Sequence, residues 1–194
     1  MSFFVFDIET LGIESTSIVL SAALLHVPID TPRDNDLAYQ YLVDRARFVK
    51  FKVDEQKALG RATTPSTLDW WRKQGVVQQR INILPASHDV SVVEGCRVLK
   101  EYHRSFIDAV NIPVWTRGAL DQILFESLLR TFDIDDFIRY NVYRDVRTAV
   151  DIIYPATSKS GYVDIPNFNR DAVVKHDPRH DCALDALMMM RGKQ

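Results

Sequence analysis

The sequence predicts an α/β fold, a mixed β-sheet flanked by α-helices, and three features carry that expectation. The first is the aromatic and β-branched run at residues 2–9, Ser-Phe-Phe-Val-Phe-Asp-Ile-Glu, of the kind that fills a strand buried on both faces. The second is the order of segments: strand-like runs come first, and helical and strand-like stretches alternate after them. The third is the closing stretch Pro178 to Arg191, a helix started by Asp177 as its cap and a proline in its first turn.

Ile18 to Val27 forms a second apolar run. A third, Leu37 to Val43, follows a turn-rich stretch with Pro28, Pro32 and Asp34-Asn35-Asp36, so a three-stranded meander is the simple expectation. Arg45 to Lys52 alternates charged and apolar residues and extends the sheet or an adjoining excursion. From Pro65 the pattern turns helical, with Thr64 or Ser66 as cap, Leu68 and Trp71 at helical spacing and Gly75 as the stop. Ser91-Val92-Val93-Glu94 is a capping box opening a helix of about 17 residues through Leu99, Tyr102 and Phe106. Ile112 to Trp115 returns to strand, Leu120 to Phe132 is an amphipathic helix, Tyr140 to Tyr143 a short strand and Asp145 to Ile153 a helix. Residues 155–170, rich in Gly, Pro, Asn and Ser, read as a loop. With no repeat or linker to divide it, the chain is read as one domain, residues 1–194.

Composition narrows the function classes. At 194 residues, 46% hydrophobic and 26% charged, the chain is long enough to bury a real core and to be an enzyme. Its apolar runs stop well short of the roughly 20 residues of a membrane helix, and its start lacks the basic and apolar regions of an export signal. Two cysteines, Cys96 and Cys182, make neither a disulfide framework nor a zinc pair, which suits a reducing cytoplasm. A net charge of −2 offers no general attraction to nucleic acid, so an anionic substrate has to be met by local basic groups or metal ions.

Three clusters stand out chemically. Asp7 and Glu9, two apart on the first strand, point to one face together with Phe3 and Val5. Two carboxylates ending an apolar strand repel and lose hydration, so they either face solvent or gain a cation. Asp121 tops an apolar helical stripe of Leu124, Phe125, Leu128 and Phe132, and a first-turn aspartate there gains from the helix dipole in any case. Trp115-Thr116-Arg117-Gly118 delivers that helix from a strand through a tight turn. The third cluster is His176-Asp177-Pro178-Arg179-His180-Asp181 with Asp185 beyond it, and a zinc site built on its histidines is disfavoured because no third ligand is in view. Met188, Met189 and Met190 read as core filling, and Cys182 as a small buried residue without a nucleophile's partners.

In this order the three clusters resemble the motifs of the DEDDh-type 3′-to-5′ exonucleases of the DnaQ-like superfamily. Asp7-Ile8-Glu9-Thr10 is similar to the first motif, Trp115 to Asp121 to the second and His176 to Asp181 to the third. Thr67 to Gln74 and Arg144 to Thr148 resemble segments of its phage exonuclease A and exodeoxyribonuclease VIII-type group. His180 with Asp185 repeats the spacing of His176 with Asp181; the earlier pair is preferred because its histidine precedes the helix and its aspartate sits near the helix start.

The resemblance implies a ribonuclease H-like fold with the first strand central. It implies Asp7, Glu9, Asp121 and Asp181 as ligands of two Mg²⁺ or Mn²⁺ ions, Asp7 bridging them, and His176 as general base. Four carboxylates drawn together do repel unless cations balance them, and hard oxygen donors select these metals. The implied reaction releases nucleoside 5′-monophosphates from single-stranded nucleic acid, with DNA favoured over RNA; a non-catalytic binding domain and a ribonuclease H-like endonuclease are the alternatives. Thr10, Trp70, Trp71 and Arg147 are the candidate substrate contacts. The adjacent tryptophans diverge by roughly 100° on a helix and cannot share one face, so either one packs while the other is free to stack or both pack against the sheet. Arg72, Lys73 and Arg144 are further candidates for phosphate contacts, and self-assembly stays open.

Overall fold

In the computed structural model, which describes residues 2–192, five strands form one sheet in the order β3-β2-β1-β4-β5. They are β1 (Phe3–Thr10), β2 (Val19–Val27), β3 (Arg47–Lys50), β4 (Val114–Thr116) and β5 (Tyr143–Asp145). β1 is antiparallel to β2 and parallel to β4, β3 is antiparallel to β2, and β5 is parallel to β4. The sheet is therefore mixed and the first strand central, as expected. Every residue of β2 is buried, which explains its largely apolar sequence, broken only by Ser21 and His26.

Alternation along β1 divides the core in two. Phe4, Phe6 and Ile8 face α5 (Val92–Arg104) and α6 (Leu120–Thr131), which cover them with Cys96, Leu99, Leu124 and Leu128. Val5 faces the opposite layer of α1 (Asn35–Arg45), α7 (Val146–Ile153) and α8 (Pro178–Arg191), where Leu42, Val150, Ala183 and Leu187 pack. Asp7 and Glu9 continue the Val5 face toward the start of α8.

Several expectations are corrected. Leu37 to Val43 is helix, not strand: Asp34 caps it by accepting the Leu37 N–H at 2.9 Å, and Ala38, Tyr39, Leu42 and Val43 are buried at helical spacing. The meander's third strand is instead β3, inside the segment that alternates charged and apolar residues. Gly75 ends no fold element for good; it is the N-cap of α4 (Val76–Asn82), which follows α3 (Pro65–Arg72) directly. The helix α2 (Val53–Ala58) was not foreseen, and α5 stops at Arg104, with 13 residues where about 17 were expected. Tyr140–Val142 is a 3-10 turn, and the strand begins only at Tyr143. Among the described residues no helix is long and apolar enough to cross a membrane.

His103 is fully buried in α5, its ring 4.9 Å from that of Phe4, without a hydrogen bond of normal geometry to either nitrogen among the described residues. Burial first, then the Arg104 charge, lowers its pKa to about 4. A histidine lowered on folding stabilises the protein above its unfolded value near 6.5, and that contribution is lost as pH falls toward 4. Denaturant titrations at pH 7 and 4.5 should therefore show a larger acid loss in wild type than in His103→Leu, by on the order of 2 kcal/mol. Equal losses would mean that His103 does not carry this acid sensitivity.

Candidate active site

Three local structures deliver the candidate residues to one end of the sheet. β1 ends in an irregularity between Glu9 and Thr10, where the pairing with β2 shifts after Glu9 opposite Ser21. The indole N–H of Trp71 donates to the Thr10 carbonyl at 2.8 Å and ties that end to α3. After β4, Gly118 takes φ +92°, the Thr116 hydroxyl donates to the Gly118 carbonyl at 2.7 Å, and the Gly118 N–H donates to Asp145 at 2.9 Å. This turn sets Asp121 in the first turn of α6, buried. Before α8, Asp177 caps the helix by accepting the Arg179 N–H at 3.0 Å, with Pro178 behind it and Asp181 in the first turn.

These elements converge. Ligand atoms of Glu9, His176 and Asp181 lie within 4.8 Å of one another, and the His176 Nδ1 is 3.2 Å from the Glu9 carboxylate. Asp7, Glu9, Asp121, His176 and Asp181 line one cleft of about 380 Å³, with Arg147 on its rim. All five side chains named from the sequence are thus brought together.

The family model described as the 3′-5′ exoribonuclease Rv2179c-like domain matches residues 2–189. The chain belongs to this family. It is a hydrolase, a DnaQ-like 3′-5′ exonuclease. The exodeoxyribonuclease of Enterobacteria phage T4 is 29% identical to it over 202 residues, covering 96% of this chain and 86% of the phage protein.

Electrostatics in the exonuclease's cleft are dominated by burial and like charge. The Asp7 carboxyl is raised well above the ordinary range by burial, then by Asp121, Asp181, Glu9 and Asp185. Burial likewise raises Asp121 to about 8 and Asp181 to about 7, with Glu9 and Asp185 adding to both. Glu9 is raised by burial and partly relieved by His176, whose own pKa Glu9's hydrogen bond raises. One Asp7 oxygen, Oδ2, is buried with no hydrogen-bond partner among the described residues. An orphaned carboxylate oxygen inside a set of hard oxygen donors fits a divalent cation of the Mg²⁺ or Mn²⁺ kind.

The repeated His-x4-Asp spacing separates in space. His180 turns away to the Tyr39 hydroxyl at 2.7 Å and lies outside the cleft. Asp185 does line the cleft, but Arg117 neutralises it, with Nε 3.1 Å from Oδ1 and a second contact through the guanidinium. Arg117 also donates to the Gly161 carbonyl at 3.2 Å and lies 4.1 Å from the Tyr162 ring, clamping the 155–170 loop onto α8. Sequence reasoning passed over this clamp. Arg117 stood inside a quoted motif, but nothing local tied it to residues 44 and 68 positions away.

The tryptophans divide as their helical divergence requires. Trp71 is 2% exposed and packs with Leu11, Ile18 and Leu20; Trp70 is 39% exposed, its ring 4.7 Å from that of His176 and perpendicular to it. Thr10 turns its hydroxyl to the Gly12 carbonyl at 2.6 Å. Arg72 pairs with Asp69 at 2.6 Å on the surface, and Arg144 bonds nearby carbonyls, so neither lines the cleft.

Carboxyls whose folded pKa exceeds the unfolded value near 4 bind extra protons when folded, so they remove stability as pH rises through about 7 to 8. Asp7→Asn should raise the melting temperature of chelator-treated protein at pH 8 by about 2–8 °C and shrink that difference at pH 5. Mn²⁺ should raise the melting temperature of wild type and raise that of the variant much less. A lowered melting temperature at pH 8 would contradict the strain assigned to Asp7.

Proposed function

We propose that this exonuclease releases nucleoside 5′-monophosphates from the 3′ end of single-stranded nucleic acid, DNA in preference to RNA, with two divalent cations and His176 as general base. The observation that carries the reading is the convergence of Glu9, His176 and Asp181 within 4.8 Å, beside buried Asp121 and the buried Oδ2 of Asp7. Asp7, Glu9, Asp121 and Asp181 are the residues that would hold the cations. Two such ions, when bound, balance the four carboxylates and stabilise charge on the attacking and leaving oxygens.

The remaining work falls to the chain's own side chains. His176 takes the proton of the attacking water as its oxygen bonds to phosphorus and the bond to the 3′ oxygen breaks. The contact with Glu9 orients the imidazole for that transfer. Arg147, on the cleft's rim, offers a phosphate its positive charge, and the open face of Trp70 offers a stacking surface for a base. A protein of net charge −2 meets an anionic strand through these local groups once the carboxylates are balanced. The preference for DNA is supported by the name of the phage T4 relative, whereas the description of the family names RNA, so RNA is the second reading. The buried, unpaired Cys96 and Cys182 suit a reducing cytoplasm as the place of action.

Digestion of 5′-labelled single-stranded DNA, duplex DNA and RNA of one sequence tests the proposal. The expected result is a ladder shortening from the 3′ end with Mg²⁺ or Mn²⁺, stopped by EDTA, fastest on single-stranded DNA. Asp7→Ala should abolish it, and His176→Ala should slow it about 10²–10⁴-fold. Full activity in either variant would overturn the corresponding role, and internal cleavage would favour an endonuclease. Trp70→Ala should raise KM about tenfold with little change in kcat. An unchanged KM would confine Trp70 to packing against His176.

A further inference from the structure

We infer that Asn82 is a positioning residue for His176, acting on the histidine's backbone from a helix that carries none of the motif residues. The inference rests on the reading of His176 as general base. Asn82 is the last residue of α4 and is 1% exposed. Its Nδ2 donates to the His176 carbonyl at 2.6 Å and to the Gln78 carbonyl at 3.3 Å, and its Oδ1 accepts from the Ser21 hydroxyl at 2.5 Å. Ser21 sits opposite Glu9 in the pairing of β1 with β2. A single buried amide therefore joins the strand beside one site carboxylate to the loop that carries the histidine.

His176 needs such a hold. It sits at φ +59°, a left-handed conformation that a residue with a Cβ keeps only where its surroundings impose it. On the α8 side the loop is tied by the Asp177 N–H to the Val174 carbonyl at 3.2 Å. On the other side the His176 carbonyl meets Asn82, while Trp70 of α3 meets the ring. A buried polar side chain is costly unless its hydrogen bonds are made, and an apolar residue would fill the same space more simply. Both Nδ2 hydrogens and the carbonyl oxygen of Asn82 are engaged, and the shortest bond its amide donates goes to His176.

Asn82→Asp keeps the shape and, assayed at a pH where the new carboxyl is ionised, removes the donor, since an ionised carboxylate only accepts hydrogen bonds. Steady-state kinetics on labelled single-stranded DNA with Mg²⁺ would compare wild type, Asn82→Asp, His176→Ala and the double variant. The expected result is a kcat lowered about 10- to 100-fold in Asn82→Asp with KM within about twofold, and no further loss when His176 is already Ala. Ser21→Ala, which frees one side of the amide without adding charge, should give a smaller loss of the same kind, about two- to fivefold. If Asn82→Asp melts before assay temperature, the same cycle run with Ser21→Ala decides. An unchanged kcat in a folded variant, or an equal fractional loss in both backgrounds, would overturn the positioning role and leave His176's role standing. Wild-type turnover by His176→Ala would instead remove the base reading, and this inference with it.

Discussion

The mutual repulsion of buried carboxylates is the constraint around which this fold is organised. Unit charges about 4 Å apart interact by roughly 4 kcal/mol at an effective dielectric of 20, comparable to a large share of a domain's 5–15 kcal/mol of stability. The response in the titration of Asp7, Asp121 and Asp181 is upward in every case, with burial the largest cause and neighbouring acids adding to it. Holding such a cluster requires strong cores behind it. Two large apolar clusters, one on each face of β1, supply them, so Asp7 and Glu9 emerge from a strand that is otherwise fully packed.

The architecture also tempers the repulsion. Asp121 and Asp181 both lie in first helical turns, where the positive end of the helix favours a carboxylate. Asp185, one turn beyond Asp181, would add a fifth like charge, and Arg117 cancels it while fastening the 155–170 loop. Arg147 lowers both Asp121 and Asp185 by its charge. What is left uncompensated is the orphaned oxygen of Asp7, at the point where the proposed cations bind.

Opposite α8, the α3–α4 pair closes the arrangement from the other side. Trp71 fixes the end of β1, Trp70 borders the imidazole, and Asn82 reaches the histidine's carbonyl. A segment whose sequence displays mainly aromatic and polar residues thus supports both the first and the third motif. Trp70 stays 39% exposed on this pair, which leaves part of its ring free for the stacking role proposed for it.

Much of this was legible in the order of residues. The aromatic and β-branched run of β1, the Ser91 cap, the Gly118 turn and the Asp177-Pro178 helix start are local signals, each written within a few residues, and the structure carries them. The carboxylates were conspicuous because charge at the end of an apolar strand or stripe is costly, which marks Asp7, Glu9 and Asp121 without any contact being known. Leu37 to Val43 was misread because a short apolar run fits either period, and the Asp34 cap together with packing against α8 made it a helix. The two His-x4-Asp pairs are equivalent as spacing; the fold turned His180 to Tyr39 and Asp185 to Arg117, leaving His176 and Asp181 beside Glu9. Asn82 and the Arg117 clamp had no local signature at all. Their partners lie 94 and 68 residues away, and a hydrogen bond across such distances exists only once the sheet and its helices have closed.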